Sequence, residues 1–174
     1  EISYLRVSVT DRCNLACVYC VPEEGVEHLD RKAILSFEQI AAVVAAAARL
    51  GVRKIRLTGG EPLVRKGIVD LVGMIARIPG ITKVGMTTNG TLLAPLASSL
   101  AAAGLGSVNI SLDSMDPERY AKLTRGGLLQ DCLFGVEAAR AAGLPVKLNV
   151  VVLEDSSEAE LAALRAYAAK VGAQ

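Results

Sequence analysis

The chain has 174 residues, enough for one domain and too few for two of ordinary size. Hydrophobic residues make up 52% of it, ample material for a core at this length, which excludes disorder over most of the chain. The 19 Lys and Arg offset 18 Asp and Glu to leave a formal charge of +1, and aromatics are only 3%, so neither a long-range field for nucleic acid or anionic membrane nor a stacking platform for single strands is available.

Taken in chain order, Tyr4 to Thr10 alternates apolar and polar residues and predicts a strand. A long cysteine-bearing loop follows. Ser36 then opens a helix as N-cap, with Gln39 completing a capping box and Val43, Val44 and Ala47 carrying the apolar face to Gly51. The longest apolar run of this Ala-rich helix, Ile40 to Ala48, is too short to span a bilayer. A strand is expected at Lys54–Thr58, a helix from Ile68 to Arg77 ended by Pro79-Gly80, a strand at Lys83–Thr87, and a helix from Leu92 to Ala103 stopped by Gly104. Val108–Leu112 reads as the next strand, Asp116-Pro117 as a helix start, Asp131–Ala142 as a helix, Val146–Leu153 as a fifth strand, and Ser157–Val171 as a last helix closed by Gly172.

Strands alternating with helices call for right-handed parallel βαβ units, hence an α/β fold. Five units fall short of a closed eight-stranded barrel, so the expected geometry is an open or partial parallel (βα) barrel. The turns after the strands (Thr10-Asp11-Arg12, Gly59-Gly60-Glu61-Pro62, Thr88-Asn89-Gly90, Leu112-Asp113) place the chemistry at the carboxyl ends of the strands.

Cys13, Cys17 and Cys20 crowd into a C-x3-C-x2-C loop, while Cys132 sits far away in an apolar helical stretch and reads as a buried, inert thiol. Clustered thiols in a neutral chain with no signal-peptide pattern between Glu1 and Arg6 suggest a metal or cluster site in a reducing, cytoplasmic setting. Three thiolates can hold three irons of a four-iron, four-sulfur cluster and leave the fourth iron open; a structural zinc site wants four ligands, and the chain's one histidine, His28, lies eight residues on.

The run Leu5 to Pro22, with Leu57-Thr58-Gly59-Gly60-Glu61-Pro62-Leu63, Thr87-Thr88-Asn89-Gly90 and Asn109 to Ser114 in that order, resembles the radical S-adenosylmethionine superfamily, most closely its molybdenum-cofactor branch, which cyclises GTP. The resemblance implies that Cys13, Cys17 and Cys20 ligate a 4Fe-4S cluster and that S-adenosylmethionine chelates the open iron. It further implies that Gly60, Tyr19 and Ser111 contact the cofactor, that Glu61 and Asn89 support it, and that Arg6, Arg56, Thr87 and Lys147 meet GTP, the three cations at the triphosphate. Asp113 reads as the start of a local turn, and Arg125 either as a contact to the cofactor carboxylate or as a solvated loop residue. An electron-donor protein, a cytoplasmic location and a homodimer of the full-length protein come with the same resemblance. Its members carry a sixth strand and a C-terminal region with a second, three-cysteine cluster; the cysteines here do not supply one, so residues 1–174 are expected to be the radical core of something longer. Two alternatives stay open: a related enzyme acting on another substrate, such as a peptide maturase, and a non-enzymatic zinc domain.

Overall fold

A computed structural model describes residues 2–174; Glu1 lies outside them. Five strands, β1 (Tyr4–Ser8), β2 (Lys54–Thr58), β3 (Lys83–Thr88), β4 (Ser107–Ser111) and β5 (Val146–Asn149), form one parallel sheet in the order β1-β2-β3-β4-β5. Each strand therefore pairs with its successor, as consecutive right-handed crossovers require. The crossovers carry α1 (Phe37–Arg49), α2 (Ile68–Ala76), α3 (Ala97–Ala102), α4 (Pro117–Thr124) and α5 (Leu129–Ala141), and α6 (Glu158–Val171) follows β5. None of these helices is long and apolar enough to cross a membrane.

The two faces of the sheet differ because the side-chain period of a strand is two. Ile55, Leu57, Val84, Met86, Val108 and Ile110 point into the helix layer and are buried against Val44, Leu71, Ile75 and Leu100. Each such side chain contributes roughly 1.5–3 kcal/mol by leaving water. The intervening positions make the opposite, polar face, and the strand register sets them in rows. Arg6, Arg56, Gly85 and Ser107 form one row across β1 to β4. Thr87, Asn109 and Lys147 stand in the next, and Ser111 with Asn149 in the one above. Successive rows are about 7 Å apart along the strands.

Several boundaries differ from the sequence reading: β1 ends at Ser8 and not Thr10, β4 is shifted by one residue, and larger shifts occur in α3, α5 and β5. The helix expected from Leu92 begins only at Ala97, residues 91–96 being turns closed by Leu93 N–H to Gly90 O and Leu96 N–H to Leu93 O. Pro95 is the cause, since it supplies no N–H and disfavours the helical conformation at Ala94. Conversely, α5 starts at Leu129, before Asp131. β5 stops at Asn149 and not Leu153 because β4 has run out beside it: the Val151 N–H is taken by the Asp113 side chain at 2.8 Å. Past α6, Gln174 donates to Val146 O (3.1 Å) and accepts from the Leu148 N–H (2.7 Å), which is a parallel bridge on the outer edge of β5.

Candidate functional site

Four loops meet at the carboxyl ends of the strands. The cysteine loop leaves β1 through buried Val9 and Thr10. It is tied to the Gly59-Gly60 turn after β2 by Gly60 N–H to Thr10 O and Glu61 N–H to Arg12 O, both 2.8 Å. Only glycine fits at this crossing: a Cβ on Gly60 would stand 2.3 Å from Arg12 O, and one on Gly59 2.5 Å from Thr10 O. Glu61, 1% exposed, takes N–H bonds from Leu63 (3.0 Å) and Asn89 (2.7 Å) and the Thr88 hydroxyl (2.8 Å), joining this turn to the end of β3.

Asn89 continues the chain of contacts to the thiols. Its Nδ2 donates to Asn14 Oδ1 at 3.0 Å and stands 3.9 Å from Cys13 Sγ, while its Oδ1 accepts from the Thr91 N–H and hydroxyl. From the other side, Ala16 and Val18 N–H bond the carbonyls of Thr124 and Leu123, and Arg125, in the left-handed conformation at φ 53, donates to Val21 O (2.9 Å) and Pro22 O (3.3 Å). Arg125 thus grips the cysteine loop. The sequence reading missed this cradle.

Cys13 and Cys20 are exposed and Cys17 is half-buried. Partial burial pushes the Cys13 and Cys17 thiols up, and the negative charges of Glu61 near Cys13 and Asp113 near Cys17, then the neighbouring thiols, add to it. Among the described residues no three His, Cys, Asp or Glu converge as one metal ion demands. A cluster that takes one thiolate per iron makes no such demand, and three accessible thiols on a loop held from both sides fit it. Cys132, by contrast, is fully buried, its thiol pushed up to about 12 by desolvation.

Tyr19 gives its hydroxyl to Asp113, whose other oxygen holds the Val151 N–H. Asp113 therefore makes long-range bonds where a local turn was expected. His28 pairs with Asp11 at 3.3 Å. Ser111 ends β4, half-buried on the open face. Below it, a groove of about 380 Å³ is lined by Arg56, Lys83, Ser107, Asn109, Arg140 and Lys147, with no Asp or Glu among the described residues of its walls. Arg56 and Lys147 line the groove; Arg6 and Thr87 occupy the same rows but are outside its lining. Lys83, Ser107 and Arg140 had no motif to single them out.

A parallel half-barrel with a three-thiol loop at the carboxyl ends of its strands defines a class. The radical SAM superfamily profile matches residues 7–168, and the chain belongs to that superfamily. In fold it is similar to the crystal structure of Streptococcus suis SuiB bound to S-adenosylmethionine (TM-score 0.83, 18% identity, covering 98% of this chain and 39% of that one). It is likewise similar to methylornithine synthase (TM-score 0.77, 17% identity, covering 95% and 50%). Among curated relatives, it is 55% identical over 165 residues to the GTP 3',8-cyclase of Pelotomaculum thermopropionicum, covering 94% of this chain and 51% of that protein. The GTP 3',8-cyclase of Pseudomonas putida is 52% identical over 169 residues, covering 97% and 50%. The chain spans about half the length of the curated relatives it matches.

Proposed function

We propose that the chain is the radical domain of a GTP 3',8-cyclase, the enzyme that cyclises GTP to (8S)-3',8-cyclo-7,8-dihydroguanosine 5'-triphosphate in molybdenum cofactor biosynthesis. The observation that carries the reading is the pairing of two polar zones: the thiol loop at the carboxyl ends of the strands, and toward their starts a groove of four cationic side chains with no Asp or Glu among its described lining residues. Cys13, Cys17 and Cys20 hold the 4Fe-4S cluster. When bound there, the cluster would supply the electron for reductive cleavage of S-adenosylmethionine, the source of the radical chemistry.

The residues of the chain bind and orient. Gly60 offers backbone to the methionine end, Ser111 a hydroxyl at the same level, and Tyr19 an aromatic wall for the adenine, oriented by its bond to Asp113. Glu61 and Asn89 act one step back, through the turn and the Cys13 loop they fix. Arg6, Arg56 and Lys147 receive the triphosphate and Thr87 the substrate beside it, with Arg supplying forked N–H donors suited to phosphate oxygens. A cytoplasmic location, an electron-donor protein and a homodimer belong to the same reading. The superfamily match together with relatives about 50% identical that are named GTP 3',8-cyclase favours neither the maturase alternative nor the zinc alternative, and the likeness to SuiB, at 18% identity, reaches the fold alone.

The test is iron and sulfide content after anaerobic reconstitution, coupled to ligand titration. Cys17→Ala should lose the cluster and Cys132→Ala keep it. Lys147→Ala should weaken GTP binding by about 1.5–3 kcal/mol, the scale of a hydrogen bond to a charged group, and barely change S-adenosylmethionine binding. Equal losses for both ligands would count against the assignment.

A further inference from the structure

Gly85 leaves a gap in the row Arg6-Arg56-Gly85-Ser107, and the Arg56 guanidinium fills it. A Cβ on Gly85 would stand 3.1 Å from both Cζ and Nη2 of Arg56 and 3.2 Å from Ser107 Oγ. The backbone gives no reason for glycine here, since Gly85 is not among the positive-φ residues. Close approach does. The guanidinium is fixed at two points: Nε donates to Tyr4 Oη at 3.0 Å, and Nη1 to the carbonyl of Met86 at 3.2 Å. Ser107 closes the far side; it is 7% exposed, and its buried Oγ has no hydrogen-bond partner among the described residues.

An arginine on a sheet face ordinarily explores many rotamers, and ordering it on binding costs affinity. Here that ordering is already done by neighbours. Nη2 has no bond of its own among the described residues, and Arg56 borders a groove whose other cations are Lys83, Arg140 and Lys147.

We infer that Tyr4, Gly85 and Ser107 are positioning residues that lay Arg56 flat across β3, so that its free N–H edge is presented, preorganised, to a phosphate oxygen in the groove. The inference rests on the reading of Arg56 as a nucleotide contact and adds the residues that make it one. Gly85 keeps the seat open, because even a Cβ there would stand 3.1 Å from the guanidinium and push it out of its place by a few tenths of an ångström. Tyr4 clamps it, and Ser107 bounds it with an unpaired hydroxyl on which a lifted guanidinium or a ligand can settle.

The experiment titrates inorganic triphosphate and S-adenosylmethionine against the cluster-loaded full-length protein. Arg56→Ala and Gly85→Ala should each weaken triphosphate binding about tenfold or more and leave S-adenosylmethionine within about twofold. Gly85→Ala placed in the Arg56→Ala background should add nothing, which a purely structural role would not produce. Tyr4→Phe alters a 44% exposed side chain, so the fold survives, and it should still lose about threefold in triphosphate affinity. Unchanged affinity in Tyr4→Phe, or a Gly85→Ala loss that adds in full to that of Arg56→Ala, overturns the inference while leaving Arg56 a contact. Triphosphate binding that survives Arg56→Ala overturns the nucleotide reading itself.

Discussion

Glu61 shows how a single buried charge organises the site. Its carboxylate is out of water, which pushes the carboxyl upward in pKa, and three donors from the turn and from β3 oppose that shift. With every bond made inside the protein, the group is satisfied where it lies. Its duty is to fasten the Gly59-Gly60 turn to Asn89, and Asn89 in turn stands against Cys13. Glu61→Gln keeps the volume but turns one acceptor into a donor facing a donor. We expect it to destabilise the domain by about 1–3 kcal/mol, read as a lower urea midpoint at unchanged slope. An unaltered midpoint, with weakened S-adenosylmethionine binding, would instead put Glu61 in direct contact with the cofactor. The sequence pattern marked this glutamate as part of a cofactor turn; that two of its partners are the last residue of β3 and the residue after it, 27 and 28 positions away, was invisible to it.

At the scale of elements, what was legible was local. The capping box Ser36/Gln39 and the Asp116 cap form as read, because each bond closes within three residues, and the structure adds a second box of the same spacing at Ser157/Glu160. What was not legible spans the chain: Arg125 reaches the cysteine loop across 104 residues, and no local pattern encodes that. The seating of α6 is another long-range case. Arg119 of α4 donates to both oxygens of Asp155 at 2.6 Å and lies 3.4 Å from Glu160. The Arg119 side chain holds the Asp155 carboxyl below its usual range, and the Ser157 N–H does the same first for Glu160, with Arg119 adding to it. Depressed carboxyl values mean stability present at neutral pH and lost as pH falls through them. Amide protection in the first turns of α6 should therefore drop on acidification below about pH 4, the ordinary carboxylate range, before that of β2 and β3. Arg119→Ala should shrink the pH dependence without abolishing it, since the capping box still titrates. Protection of α6 that follows the central strands at every pH would show that the pairing does not seat the helix.

For the molecule as a whole, a formal charge of +1 conceals a sorting of charge by face. The groove gathers Arg56, Lys83, Arg140 and Lys147, and among the described residues no Asp or Glu lines it. Such a site acts at short range, and exposed charges interact over only about 8–10 Å at physiological salt. Its lining has no aromatic side chain, so it lacks the base stacking that is worth about 1–3 kcal/mol elsewhere. Phosphate contacts should therefore dominate. For residues 1–174 alone, we expect GTP and inorganic triphosphate to bind within about tenfold of each other, and both to weaken together as salt rises. S-adenosylmethionine, held by the thiol loop and the strand-end turns, should respond far less. Competition titrations at low and high salt, on protein with the cluster rebuilt under anaerobic conditions, give the comparison. GTP binding more than about a hundredfold tighter than inorganic triphosphate, with little salt dependence, would mean that these residues recognise the base and that the cationic groove is not the main anchor.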